Sequence, residues 1–434
     1  MKQLCVISAP PDTYSGYGAR SRDFIKAIYE LKKEEWDIKI LPQRWGNTTW
    51  GFLDDHKKEW GWMKELFMNT NLTQQPDIWF QITVPNEFQP VGKVSIGVTA
   101  GIETTLCDAS WIEGVNRMNL TLVSSKHAKQ VFQQSTFDQK DQAGRVIKQI
   151  KLDKPVEVLF EGVDLNKYFH IPENELPKSD IVSTLNSVKE PFNYLYVGHW
   201  LQGDLGEDRK NTGLMIKLFL ETFKGKKNKP GLILKTSSAT NCIMDRDDIL
   251  RKIDSIRSLV GDKDLPNVYL LHGDLDDQDM NVLYNHPKVK AMLSFTKGEG
   301  YGRPLAEFCL SKKPIIASGW SGHMDFLSPE FSVLLPGQLK QIHPSAVVQN
   351  MLLPESGWFA IDEKAASRTM QEVCDNYDKY ESGGKRQGHK IKTEFTYDNM
   401  VLILRDYFDK YVPKQVALKL PQLKKIELPK LQKI

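Results

Sequence analysis

A glycine-rich segment carries the residues with the clearest chemical potential. It reads FTKGEGYGRPLAE over Phe295–Glu307, and seven residues separate Glu299 from Glu307. Pro304 suits the first turn of a helix, where its missing N–H is not needed, and the glycines let backbone N–H groups approach a phosphate at that helix N-terminus. We expect a phosphate-binding loop whose two carboxylates accept hydrogen bonds from hydroxyl groups. The simpler alternative is a strand–turn–helix connection with a solvated Glu299 and a salt-bridged Glu307.

Two other segments suit the same ligand. Arg209 and Lys210 form a cationic pair after an acidic loop, and paired cations suit a phosphate group. A loop containing Gly16 and Gly18 also follows a strand-like run and opens a helical pattern. The alternatives are an exposed surface pair for the two cations and an ordinary turn for the glycine loop.

The composition excludes several classes of protein. The 434 residues are 40% hydrophobic and 26% charged, which is typical of a globular protein of two or three domains. The five cysteines form no C-x-x-C pair, so we expect neither a disulfide framework nor a structural zinc site, and a cytoplasmic location fits best. No uncharged apolar run approaches 20 residues, so we also expect no transmembrane segment. The net charge of +3 is too small for indiscriminate nucleic-acid binding by the whole surface.

Short apolar runs rich in β-branched residues alternate with helical patterns along the chain. The strands and helices that they predict must position the candidate site residues. Such runs predict parallel sheets covered on both faces. Because one set falls in each half, we expect an α/β fold of two Rossmann-like, doubly wound domains that face each other across a cleft. The predicted strands are Leu4–Ser8, Asp37–Leu41, Ile78–Ile82, Val94–Ala100, Leu120–Ser124, Val156–Phe160, Tyr194–Gly198, Leu232–Thr236, Val268–Gly273, Ala291–Phe295, Pro314–Ser318 and Val333–Pro336.

The predicted division of the chain has four parts. Residues 1–170 form an N-terminal Rossmann-like domain, and residues 171–394 form a C-terminal Rossmann-like domain that binds the phosphate-bearing ligand. A helix over residues 395–411 returns to the first domain. The remaining segment, residues 412–434, contains six lysines and one glutamate with repeated Leu-Pro units, and we expect an extended basic tail.

Several motifs together resemble the retaining glycosyltransferases of the GT-B fold, of the family 4 type. The Glu299/Glu307 segment resembles their E-x7-E signature. Other segments resemble family motifs and follow one another in the order found in the family, and all of the chain except the tail lies within the frame that they define. These segments are Glu161–Phe169, Tyr194–Gly198 with Arg209–Asn211, His272–Leu275 and Ser318–His323. The resemblance implies transfer of a hexose or pentose from a nucleotide sugar such as UDP-glucose, with retention of configuration and no strict need for a metal.

The resemblance also implies roles for individual residues. Glu307 would bind the ribose, Glu299 would bind the transferred sugar, and Arg209 with Lys210 would neutralise the diphosphate. In the retaining mechanism of the family, the leaving phosphate helps to deprotonate an acceptor that attacks from the same face. Further donor-binding residues would be Gly302, Arg303, Tyr301, Gly16, Gly18, His199 and Gly273.

The resemblance also implies that residues 1–170 form the acceptor side of the cleft, and this side departs from the family pattern. His199 stands where the family often has arginine, and the segment after the fourth strand has no histidine but contains Glu103 as a weaker acceptor candidate. Arg44 and Trp45 belong to a tryptophan-rich stretch that suits stacking on a base or sugar, although such a stretch also forms the small core of a loop.

The identity of the acceptor stays open at this stage. The segment Gly101–Thr105 (GIETT) and the tail rich in Leu, Pro and Lys resemble those of family 4-like chains from tailed bacteriophages. This resemblance suggests a hydroxylated base in DNA as the acceptor, in the host cytoplasm, contacted through the basic tail. The alternatives are a polysaccharide or a lipid-linked glycan, or a non-catalytic nucleic-acid-binding protein. A tail that only improves solubility is also compatible with the sequence. The sequence does not indicate the oligomeric state.

Overall fold

The computed structural model describes residues 2–238, 241–261 and 263–413. It contains two parallel six-stranded sheets flanked by helices, which confirms the α/β fold of two Rossmann-like domains. In chain order the strands are β1 (Gln3–Ala9), β2 (Trp36–Pro42), β3 (Ile78–Ile82), β4 (Val94–Thr99), β5 (Leu120–Val123), β6 (Phe137–Lys140), β7 (Val146–Ile150), β8 (Val156–Val158), β9 (Asn193–Val197), β10 (Gly231–Lys235), β11 (Val268–Leu271), β12 (Val289–Ser294), β13 (Ile315–Ser318), β14 (Val333–Leu335), β15 (Gly337–Gln341) and β16 (Gly357–Ile361).

Helices cover the faces of both sheets. In chain order they are α1 (Gly16–Lys32), α2 (Phe52–Asp55), α3 (Lys57–Trp60), α4 (Ala109–Arg117), α5 (Lys126–Gln134), α6 (Asp180–Asn186), α7 (Thr212–Phe223), α8 (Ile243–Val260), α9 (Asp277–Asn285), α10 (Arg303–Cys309), α11 (Glu363–Asp375), α12 (Tyr377–Glu394) and α13 (Tyr397–Tyr411). No helix in the described part of the chain is long and apolar enough to cross a membrane.

The order of the strands indicates where a ligand would bind. The sheet of the N-terminal domain has the order β2-β1-β3-β4-β5-β8, and that of the C-terminal domain has the order β11-β10-β9-β12-β13-β14. The direction of winding reverses between β1 and β3 in the first sheet and between β9 and β12 in the second. Ligands of such sheets bind beyond the carboxyl ends of the strands at this reversal. The loops after β1, β9 and β12 lie at these reversals, and they contain Gly16, Arg209, Lys210 and Glu299 among the predicted site residues.

All twelve predicted strands are present, with bounds that differ by a few residues at most. Two antiparallel hairpins, β6–β7 and β15–β16, were not predicted. The residues of β15 are exposed and mostly polar, and those of β7 are mostly exposed with polar residues interrupting the apolar ones, so neither strand forms the continuous apolar run of a buried parallel strand.

The last described helix, α13, packs on the N-terminal domain. The hydroxyl of Tyr407 donates to the carbonyl of Val158 at 2.8 Å, and that of Tyr411 donates to Glu157 at 2.7 Å. The ring of Phe408 lies 5.2 Å from that of Trp36. The chain therefore crosses between the domains twice, first after β8 and again before α13. The basic tail expected over residues 412–434 lies outside the described residues from position 414 onward.

Candidate functional site

Glu299 lies in the loop after β12 and is enclosed by two cations from the loop after β9. Its Oε1 accepts a hydrogen bond from Lys210 Nζ at 2.5 Å, and its Oε2 lies 3.5 Å from Arg209. The side chain of Glu299 is only 9% exposed. Burial alone raises the pKa of this carboxyl, but Lys210 and Arg209 outweigh burial and lower the pKa to about 2. Glu299 is therefore an ionised, buried carboxylate, and the solvated alternative is wrong.

Arg209 contacts both domains, which explains why the surface-pair alternative does not describe it. Its NH1 donates to the carbonyl of Gly298 at 2.8 Å. Its NH2 lies 3.8 Å from Glu103, in the loop after β4 of the N-terminal domain. Arg209 and Lys210 are respectively 17% and 15% exposed. Two cations and two carboxylates thus meet at the interdomain cleft, and their formal charges balance.

The glycines of this loop are required for contact between the domains. A Cβ at Gly298 would overlap the carbonyl oxygen of Glu103, and a Cβ at Gly300 would lie 2.5 Å from the carbonyl oxygen of Ala100. The N–H of Glu299 donates to Ser321 Oγ at 2.9 Å, which fixes the loop on its other side. Larger residues at the two glycines would therefore hold the domains apart.

Glu307 lies on α10, which begins directly after Gly302 with its positive φ of 97°. Glu307 accepts hydrogen bonds from Arg303 Nε at 2.9 Å and from the Tyr284 hydroxyl at 3.3 Å. Burial raises the pKa of Glu307 to about 7, against the opposing effect of the Arg303 guanidinium. Arg303 also donates to Asp23 of α1 at 2.6 Å. The salt bridge that the simpler alternative gave to Glu307 is thus present, and its partner Arg303 reaches across to the N-terminal domain.

The glycine loop after β1 forms the opposite wall of the cleft. Ser15 caps α1 by accepting a hydrogen bond from the N–H of Gly18 at 2.9 Å. A Cβ at Gly18 would overlap the carbonyl oxygen of Thr13, whereas a Cβ at Gly16 would meet no atom within 4 Å. Gly16 therefore leaves open space at the start of α1, into which a ligand can approach the backbone.

Tyr17 connects this loop to the β4 loop and to the tryptophan-rich stretch. Its hydroxyl lies 2.9 Å from Thr99 Oγ1 and accepts from the N–H of Ala100 at 3.2 Å. Its ring stacks on Trp45 with centroids 3.8 Å apart. Arg44 is exposed, and its guanidinium lies 5.7 Å from the ring centroid of Trp50. The stretch therefore presents cations and aromatic rings to solvent next to the cleft.

The structure places the other predicted donor residues in different surroundings. His199 has an exposed edge, its Nδ1 lies 3.2 Å from Ser237 Oγ, and enclosure by the cleft walls together with Lys210 lowers its pKa. Gly273 has a φ of 125°, and its carbonyl accepts from Lys235 at 2.7 Å. Tyr301 is 3% exposed, with its ring 5.0 Å from that of Phe326. Tyr301 thus packs in the protein interior rather than lining the open cleft.

Three residues beside the site were missed by the sequence analysis. Tyr17 and Asp23 lie in the predicted loop and in the helix that follows it, but their partners are distant in the sequence. His127, at the start of α5, packs edge-on against Trp320 of the C-terminal domain at 4.6 Å, and burial lowers its pKa to about 4. Of these positions, the sequence indicated only the Gly16–Gly18 loop as part of a site, and it did not identify the three side chains themselves.

The described residues, 2–238, 241–261 and 263–413, contain no cluster of three or more His, Cys, Asp or Glu side chains arranged to hold a metal ion. The charged groups at the cleft are instead the paired cations and carboxylates described above. Fixed cations of this kind suit a ligand that carries phosphate and hydroxyl groups.

Comparisons with known proteins give matches only among solved structures. No protein-family model matches the chain, and no curated protein matches its sequence. Sucrose-phosphate synthase from Thermosynechococcus elongatus superimposes with a TM-score of 0.60 at 12% identity, over 94% of this chain and 99% of that chain. HepE from Anabaena, in complex with UDP and glucose, has a TM-score of 0.59 at 11% identity, over 94% of this chain and 100% of that chain. A glycosyltransferase from Rickettsia africae has a TM-score of 0.60 at 12% identity, over 95% of this chain and 100% of that chain. The chain shares the two-domain GT-B fold of these proteins.

Proposed function

We propose that this protein is a retaining glycosyltransferase that transfers a sugar from a nucleoside diphosphate sugar to an acceptor hydroxyl. The observation that carries the proposal is the cluster of Arg209, Lys210 and Glu299 at the strand-order reversal between β9 and β12. A leaving diphosphate needs fixed positive charge, and this cluster holds two cations in a poorly solvated cleft. A protein that only bound nucleic acid would have no need of paired cations at a leaving group.

The proposed step exchanges one bond for another at C1 of the transferred sugar. The bond between C1 of the sugar and the phosphate oxygen breaks, and the charge that develops on the diphosphate is stabilised by Arg209 and Lys210. The acceptor oxygen bonds to C1 from the same face, and its proton passes to the leaving phosphate oxygen. Glu299 holds the two cations in place and accepts hydrogen bonds from hydroxyl groups of the transferred sugar.

The donor is best assigned as a UDP-sugar, with UDP-glucose as the leading candidate. The HepE structure, solved with UDP and glucose, supports this choice through the shared fold. Glu307 would then accept hydrogen bonds from the ribose hydroxyls, and the backbone at Gly16 would approach the phosphates. Because Arg209 and Lys210 supply positive charge directly, the reaction would not strictly require a divalent metal.

We propose a hydroxylated base in DNA as the acceptor, in keeping with a phage-encoded protein that acts in the host cytoplasm. The surface formed by Arg44, Trp45 and Trp50 supports a flat, anionic acceptor, because aromatic rings stack on bases while cations contact phosphates. A polysaccharide or a lipid-linked glycan is the alternative, since aromatic rings also pack against sugar rings.

A mass-spectrometric transfer assay tests both the reaction and the acceptor. The full-length protein is incubated with a panel of nucleotide sugars and with hydroxymethylated DNA, unmodified DNA or glycans. A hexose or pentose added only to hydroxymethylated DNA, with the anomeric configuration of the donor, is the expected result. Addition only to a glycan would refute the DNA acceptor, and an inverted anomer would refute the retaining mechanism.

Single substitutions test the site itself. Lys210→Ala should abolish cleavage of the donor, because the diphosphate loses one of its two cations. Lys364→Ala is the matched control, since Lys364 is an exposed lysine on α11. Equal donor cleavage by both variants would contradict the assignment of the site.

A further inference from the structure

A basic groove lies between α12 and the segment that crosses between the domains after β8. It has a volume of about 1020 Å³ and is distinct from the cleft that contains Glu299. Its lining includes only two acidic side chains, Glu173 and Glu381. Five lysines line it, and they are Lys290, Lys312, Lys313, Lys385 and Lys392. We call it the crossover groove.

Most of this positive charge is not neutralised within the protein. Lys385 pairs with Glu381 at 2.9 Å. Among the described residues, no carboxylate lies within ion-pairing distance of Lys290, Lys312 or Lys392. Lys312 and Lys392 are also exposed. The groove therefore offers at least three cations to a ligand without first breaking a salt bridge.

The close packing of α12 brings these lysines together. A Cβ at Gly384 would lie 2.6 Å from the carbonyl oxygen of Lys312, and a Cβ at Gly388 would lie 2.6 Å from that of Cys309. Glycine within a helix is unfavourable by about 1 kcal/mol relative to alanine, so these positions are explained by the close approach they permit. As a result, Lys385 and Lys392 on α12 face the turn after α10 that carries Lys312.

The lysines also act on their neighbours. Burial, followed by the charges of Lys312 and Lys313, lowers the pKa of His170. Burial, followed by the charges of Lys313 and Lys288, lowers the pKa of His286 to about 4. The charges of Lys312 and Lys313 therefore reach His170, which also lines the groove, and a positive potential there favours an anion.

Aromatic rings accompany the lysines. Phe169, on the crossover segment, is 47% exposed and lines the groove. Tyr377 lies at the start of α12, with Lys290 Nζ 5.6 Å from its ring centroid. Lys385 and Lys392 are two helical turns apart, which corresponds to about 10 Å along α12. Cations spread over such a distance suit a chain of phosphates better than a single phosphate, and an exposed ring suits a base.

We propose that the crossover groove binds single-stranded nucleic acid, with its phosphates on Lys290, Lys312 and Lys392 and a base stacked on Phe169. Basic grooves lined with aromatic side chains bind single strands in this way. The binding does not depend on sugar transfer, because the groove shares none of the residues assigned to the donor.

The test measures binding in the absence of any nucleotide sugar. A fluorescein-labelled oligothymidylate of about 15 nucleotides is titrated with the full-length protein, and affinity is followed by fluorescence anisotropy as a function of salt. The double variant Lys312→Glu/Lys392→Glu should weaken binding at least about tenfold. It should also reduce the slope of log K against log salt by about 1.4, the value for two lost phosphate contacts to a single strand.

The control variant reverses two lysines elsewhere. Lys226 and Lys227 are exposed in the turn after α7 and pair with no described carboxylate, so Lys226→Glu/Lys227→Glu changes the net charge equally. An equal loss of affinity in this control would overturn the proposal, because general electrostatics would then explain the binding. Circular dichroism of each variant verifies that it is folded.

Two further measurements distinguish a nucleic acid from other polyanions. Phe169→Ala should weaken binding of the oligothymidylate but leave binding of inorganic polyphosphate unchanged, because only the former has bases. Photocrosslinking with 5-iodouridine should label peptides that contain Phe169, His170 or Tyr377. Crosslinks confined to residues 414–434, or a Phe169 variant that binds the oligothymidylate normally, would overturn the assignment.

Discussion

Replacement of Glu299 by glutamine should destabilise the empty protein and increase its response to a nucleotide. The wild-type carboxyl has a pKa of about 2 instead of 4.5, a difference of more than two units in a side chain that is 9% exposed. At 1.4 kcal/mol per unit, the ionised form is stabilised by about 3 kcal/mol. Glu299→Gln removes this stabilisation and leaves Lys210 and Arg209 without their carboxylate.

The expected change is large enough for a thermal unfolding assay. For a domain of about 200 residues, 3 kcal/mol corresponds to a decrease in Tm of about 6–12 °C. Because the folded-state pKa is lowered, the stabilisation is present above the ordinary pKa and is lost as the pH falls towards 2. The difference between wild type and variant should therefore be constant from about pH 6 to pH 8.

The same variant reports on the proposed ligand. The diphosphate of UDP brings negative charge to the two cations, so UDP should raise the Tm of Glu299→Gln more than it raises that of the wild type. Glu372→Gln is the matched control, since Glu372 forms an exposed ion pair with Lys379 and its loss should change Tm little. An unchanged Tm in Glu299→Gln, or an equal UDP response in both proteins, would refute this reasoning.

Three other substitutions test separate parts of the account. Gly298→Ala should reduce sugar transfer by at least about tenfold while circular dichroism stays unchanged, because its Cβ would overlap the Glu103 carbonyl and hold the domains apart; normal activity would contradict the closed arrangement. Glu307→Gln should raise the donor KM more than it lowers kcat in steady-state kinetics, since it removes a proposed ribose contact; a change in kcat alone would contradict that role. Trp45→Ala should raise the KM for the acceptor but not for the donor, because its ring stacks on Tyr17 at the cleft entrance; an effect confined to the donor would contradict an acceptor surface there.

The sequence predicted the fold well because buried parallel strands are continuous apolar runs. β9 and β12, for example, are almost entirely buried and read as NYLYV and VKAMLS. The β15–β16 hairpin was not predicted because β15 is exposed and mostly polar. β15 is held by its pairing with β16, and β16 is in turn hydrogen-bonded to the N-terminal domain between Gly357 and Thr105, so this support comes from residues distant in the sequence.

The candidate site was predicted as a set of residues but not as an arrangement. Glu299 and Lys210 were both identified, yet their hydrogen bond joins loops that are 89 residues apart. The contact between Arg303 and Asp23 spans 280 residues and depends on how the two domains face each other. Tyr301 shows the opposite case: its place in the glycine loop suggested a ligand contact, but its side chain packs in the interior.

Cleavage of a nucleotide sugar by the full-length protein tests the central proposal most directly. Release of a nucleoside diphosphate from each member of a panel of nucleotide sugars can be followed by mass spectrometry, in the presence and absence of acceptors. The account predicts that the wild type cleaves at least one of them, that Lys210→Ala cleaves none, and that Lys364→Ala behaves as the wild type. Failure of the wild type to cleave any member of the panel, or undiminished cleavage by Lys210→Ala, would contradict it.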